Sequence, residues 1–151
     1  MGRKGWMICS GLVWMMVGLW LLFKGIVLIA EGALGAHPET SLSFRYFASA
    51  QQGAALLIAL GLLIGFVKGR FVLSKTVRRV CLRISELSLP IHIKHVYAPS
   101  YLLLLASMML LGMLLRFIPI ALDLKGAIDV AIGCALLNGS MLYWRAARSY
   151  A

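Results

Sequence analysis

The sequence predicts an all-α integral membrane protein. Four transmembrane helices form two antiparallel hairpins, both termini are cytoplasmic, and a basic amphipathic segment lies between the second and third helices. Three observations carry that expectation. Of 151 residues, 62% are hydrophobic and 13% charged, with a mean hydropathy of +0.91, whereas soluble domains run at about 45–50% apolar and about 25% charged. The apolar residues lie in runs of about 20, the length of helix that crosses a hydrocarbon core of about 30 Å. The net charge of +10 is concentrated beside those runs. So little charge cannot cover a water-facing surface, which excludes a disordered chain and a soluble enzyme domain. The chain reads as one polytopic domain, 1–151.

The first expected span is 6–30, broken only by Lys24. Its basic start, Arg3 and Lys4, resembles a signal peptide, but the apolar run is too long for one and no clean small-residue cleavage site follows. The second span is 48–67 and carries no charge; the third, 96–115, is also uncharged; the fourth, 126–144, opens near Asp129. Long continuous runs rich in Leu, Ala, Gly and Met suit helices, because a barrel strand would be about ten residues of alternating polarity. Met15, Met16, Gly18 and Lys24 in the first span match Met108, Met109, Gly112 and Arg116 in the third, as a parallel repeat of two hairpins would produce.

Eleven Lys and Arg fall on one side of these spans (Arg3, Lys4, Lys68, Arg70, Lys75, Arg78, Arg79, Arg83, Lys94, Arg145, Arg148) and four on the other (Lys24, Arg45, Arg116, Lys125). The positive-inside rule then places both termini and the 68–95 linker in the cytoplasm of a bacterial-type inner membrane. Trp6, Tyr97, Tyr101, Tyr143 and Trp144 fall at the same boundaries, where an aromatic belt is expected.

Lipid is as apolar as leucine, so helices associate where small residues let backbones approach. The first span has Gly11, Gly18, Gly25 and Gly32 at intervals of seven; the second has Gly61, Gly65 and Gly69; the fourth has Ala127, Ala131, Ala135 and Gly139. These are the expected packing faces. They are expected to pack the chain's own helices; as the alternative, the doubled GxxxG of Gly61, Gly65 and Gly69 is expected to face a second chain, giving a homo-oligomer or a contact with another membrane protein.

Between Gly69 and Pro90, Leu73, Val77, Val80, Ile84 and Leu87 recur at helical spacing, with Lys75, Arg78, Arg79 and Arg83 opposite. This helix is expected to lie on the inner leaflet with its apolar face in the acyl boundary, or to continue the second span into the cytosol. Its cations are candidate contacts for anionic lipid head groups or a protein partner. Nucleic acid is not expected, because no aromatic-interleaved basic groove is present.

Lys24 is expected to snorkel to the outer interface. Arg116 and Asp129 flank a short loop and form a candidate ion pair or solute site. Asn138 is a candidate for an interhelical hydrogen bond, and Thr40 for the cap of a short interfacial helix in the outer loop. His92 and His95 lie between Pro90 and Pro99 with no third ligand nearby, and Cys9, Cys81 and Cys134 fit no zinc pattern, so no metal and no cofactor is expected. Cys81, in the basic segment, is a candidate for palmitoylation. No catalytic motif is present: no GxSxG, HExxH, P-loop or dinucleotide fingerprint. The expected function is therefore a non-enzymatic scaffold or accessory subunit, with a small oligomeric transporter or channel as the alternative.

Overall fold

The computed structural model describes residues 3–35, 46, 49–86, 110, 114, 117–118 and 120–149. Among these it is all-helical. Three helices are long and apolar enough to cross a membrane, as in a small multi-span membrane protein.

Helix α1 is Arg3–Ala33, 31 residues or about 46 Å, which exceeds the hydrocarbon thickness. No proline interrupts it, and it ends where Gly35 takes φ 77°, the left-handed conformation that closes helices and that a side chain resists. Helix α2 is Ala50–Lys68, started by Ser49, whose hydroxyl accepts the Gln52 amide at 3.3 Å. Gly69 does not end it. Its φ −58° and ψ −43° are helical, and the chain runs on through a π-turn, Gly69–Leu73, into helix α3, Ser74–Glu86. Of the two expected placements of the basic segment, the structure thus takes the continuation of the second span. Helix α4, Leu122–Ser149, carries Asp123 in its first turn and Arg148 in its last, each placed to complement the helix dipole. It begins four residues earlier than the expected 126 and ends five later than 144. The expected span at 96–115 lies outside the described residues except for Leu110 and Leu114, which are helical and exposed. The repeat with the first span therefore falls outside them too.

Helix α4 is the centre. Of its most apolar window 56% is buried, against 22% for the windows of α1 and α2. Both outer helices pack mainly on α4 and touch each other far less. The other faces of α1 and α2 present large apolar side chains, among them Val13, Trp20, Phe23, Leu63 and Phe66, as lipid-facing surfaces do.

Small residues set this arrangement. A methyl group added at Gly25 would lie 2.6 Å from the Gly126 carbonyl oxygen, and one at Gly133 would lie 2.7 Å from that of Gly18. Gly18 and Gly25 of α1 therefore meet glycines of α4, Gly11 and Gly32 meet Trp144 and Asp123, and the two backbones run antiparallel. Along the other flank, methyls at Gly61, Gly65 and Gly69 would strike Ala127, Ala131 and Ala135 in turn, so α2 runs parallel to α4 with four-residue steps on both. This corrects the alternative that Gly61, Gly65 and Gly69 face a second chain: α4 of the same chain already fills that groove.

Candidate functional site

The described residues place the spare chemistry at the two ends of α4. Toward its start, Lys24 Nζ lies 2.9 Å from Asp129 Oδ2. The pair forms beside the close Gly25–Gly126 contact of α1 and α4. Lys24 precedes Gly25, and Asp129 lies three residues, almost one turn, beyond Gly126, so the glycine contact carries the ammonium over the carboxylate. The lysine side chain stays 53% exposed and the aspartate 12%. Lys24 was expected to reach for the outer interface alone; its head group is instead held by a carboxylate of the neighbouring helix. Asp129 thus has a partner the sequence did not offer, while the expected pair with Arg116 lies outside the described residues. Asp123 is fully buried near Gly32.

The middle of α4 carries few polar groups. Cys134 Sγ donates to the Leu62 carbonyl across the α2 seam at 3.5 Å. Asn138, expected to bond a neighbouring helix, donates instead to the Cys134 carbonyl of its own helix at 3.2 Å. The Ser140 hydroxyl likewise bonds the Leu137 carbonyl at 2.8 Å. Gly139 is buried. No line of polar groups runs through this centre among the described residues.

At the other end, helix α3 runs on alongside α4. Val77 and Cys81 are buried in one cluster with Met7, Trp14, Leu136 and Tyr143. This corrects the expectation of an apolar face lying in the acyl boundary at Val77, which is covered by protein; the side chains of Leu73, Val80, Ile84 and Leu87 lie outside the described set. Tyr143 is fully buried with its ring 5.8 Å from Trp14, so it is a core residue and not a member of a lipid-facing belt. The burial of Cys81 pushes its thiol up to about 11, which removes the thiolate needed for acylation or oxidation near neutral pH. Lys75, Arg78 and Arg79 are exposed on the opposite face, with Arg145 and Arg148 exposed on α4. Arg83 lies within α3, with its side chain outside the described set.

Between α3 and the last turns of α4 lies a groove of about 330 Å³, walled by Val77, Cys81, Leu82, Leu142 and Ala146, with Arg78 at its side. Two hydroxyls on the wall are spent locally: Ser74 donates to the Phe71 carbonyl and Ser149 to that of Ala146.

Sequence reasoning missed Gly126 and Gly133. Their spacing of seven, the same as in α1, was the available signal. It also missed the reach of Lys24 to Asp129, because nothing in the sequence sets the register between two distant helices. His92, His95 and Thr40 lie outside the described residues, among which no cluster of His, Cys, Asp and Glu is suited to a metal ion. Comparison with known proteins gives no matching family model, no matching curated protein and no matching solved structure.

Proposed function

We propose that the chain is a non-catalytic accessory subunit of a membrane assembly, oriented with its basic end in the cytoplasm, where α3 presents its cations to an acidic partner protein. The observation that supports this most is the fixed mounting of that charge. Val77 and Cys81 are buried against α4 while Lys75, Arg78 and Arg79 stay exposed. A free amphipathic segment would place its charges variably against the bilayer. A helix continuous with a membrane span holds them in one geometry, which is what recognition of a particular surface requires. The excess of Lys and Arg at this end supports the orientation.

Native mass spectrometry after mild extraction tests this reading. The wild-type chain is expected to carry a second protein component, lost when Lys75, Arg78 and Arg79 are all changed to Gln. A chain that is alone in the wild type, or a partner retained by the triple variant, overturns it. A small transporter is the second reading, favoured by the Lys24–Asp129 pair inside the spanning region, since ionisable groups at that depth are costly. It requires solute flux in liposomes that disappears with Asp129→Asn; absence of flux from the wild type removes it.

A further inference from the structure

The groove beside α3 combines an apolar floor with a cation that makes no hydrogen bond or ion pair among the described residues. Val77, Cys81, Leu82, Leu142 and Ala146 supply the floor, and Arg78 stands at the wall. The wall's serine hydroxyls are bonded to carbonyls of their own helices. Arg78 is therefore the strong donor the groove presents to a ligand, and a guanidinium suits phosphate above other anions because its fork of donors matches two oxygens. Arg145 adds positive charge on the same side of α4, three residues from Leu142 and four from Ser149.

Size and depth narrow the occupant. A volume of about 330 Å³ lies at the low end for small-molecule pockets, and a helix about 10–12 Å across does not fit it. The span of α2 ends at Phe71, and the groove opens at Ser74, one turn further, where phospholipid head groups lie.

We propose that this groove is a binding site for one anionic phospholipid, its phosphate on Arg78 and its glycerol and first methylenes along Val77, Leu142 and Ala146. The site rests on membrane residence and not on the protein partner proposed above, so either can fail without the other.

The test uses the full chain in mild detergent, titrated with phosphatidylglycerol or phosphatidylcholine and read by native mass spectrometry. One phosphatidylglycerol is expected to remain bound in preference to phosphatidylcholine. Arg78→Gln should weaken it about ten-fold or more, the loss of a direct charge-assisted hydrogen bond to the phosphate. Arg79→Gln removes the same charge from a residue that does not line the groove and should stay within about two-fold of wild type. Ala146→Phe fills the floor and should abolish binding with all charges kept. Equal losses for Arg78→Gln and Arg79→Gln would reduce the effect to general charge and overturn the proposal. So would lipid retained by Ala146→Phe, or a protein mass that Ala146→Phe displaces. The arginine pair decides the matter by itself if Ala146→Phe does not fold.

Discussion

The two flanks of α4 solve the same problem differently. On the α1 flank, glycine meets glycine at Gly25–Gly126 and Gly18–Gly133, the helices are antiparallel, and Lys24 and Asp129 close the contact with charge. On the α2 flank, glycine meets alanine, the helices are parallel, and Cys134 to Leu62 at 3.5 Å is a weak polar tie. Two-sided glycine lets backbones touch, and in lipid that close packing takes the place of hydrophobic burial. One-sided glycine brings them as near at Gly65, where an added methyl would meet the Ala131 carbonyl oxygen, with the alanine methyls lying beside the seam. The first flank differs in adding a charge pair to its backbone contact, and the second is supported from outside the span, where α3 packs on α4.

The sharpest way to break this contrast is Gly25→Leu. Its Cβ would meet the Gly126 carbonyl oxygen at 2.6 Å and the Val130 amide nitrogen at 2.8 Å, both backbone atoms that have nowhere to move. The helices must separate, and the ion pair next to them opens as well. A loss of about 3 kcal/mol or more is expected, at the upper end of overpacking, measured as reversible unfolding in detergent or bicelles. Gly126→Leu should do the same from the other helix. A loss below about 1 kcal/mol would mean the two backbones are not in contact.

The charge pair should rank next. Lys24→Leu strands the Asp129 carboxylate at membrane depth, at a cost of about 2–3 kcal/mol. Replacing both, Lys24→Leu with Asp129→Leu, removes the stranded charge and should recover most of that loss, because an apolar pair of similar volume commonly serves as well as a buried ion pair. A double variant as unstable as the single one would show that Asp129 answers to another partner.

On the second flank, Gly61→Ala sharpens the comparison. Its methyl would lie 2.9 Å from the Ala127 carbonyl oxygen, but its other close neighbours are Val130 side-chain atoms at 3.1 and 3.3 Å, which can yield. About 1–2 kcal/mol is expected, less than for Gly25→Leu. If Gly61→Ala proves the more damaging, the expected order of the two substitutions is reversed.

Much of this was readable from residues alone. The spans of α1, α2 and α4 follow from run length, and the glycines of α1 and α2 follow from their periods of seven and four. Which seam meets which does not follow. A GxxxG face fits a helix of the same chain as well as one of another chain, and only the register of α4, with Ala127, Ala131 and Ala135 set against Gly61, Gly65 and Gly69, decides. The Lys24 partner of Asp129 was missed for a related reason. Proximity in sequence favoured Arg116, while the antiparallel crossing at Gly25 brings Lys24 from 105 residues away. Helix α3 shows the same limit: its period reveals an apolar face, and lipid and protein both satisfy such a face.

The support that α3 gives the second flank can be tested through Cys81, with the smallest expected effect. Burial holds its thiol at about 11, against an ordinary value of 9.0. The unfolded chain therefore gives up this proton at lower pH than the folded one. Whatever the neutral thiol contributes is fully present below pH about 9 and is lost progressively as the pH rises toward 11. Wild type minus Cys81→Ala, compared by unfolding at pH 8 and pH 10, isolates this group from the lysines and tyrosines that titrate nearby. The difference should move against the wild type by about 1 kcal/mol. Iodoacetamide should report the same burial, alkylating Cys81 at pH 8 about a hundred-fold more slowly in the folded chain than in the denatured one. A pH-independent difference, together with rapid alkylation of the folded chain, would mean that α3 is detached from α4, and the second flank would then rest on its glycines alone.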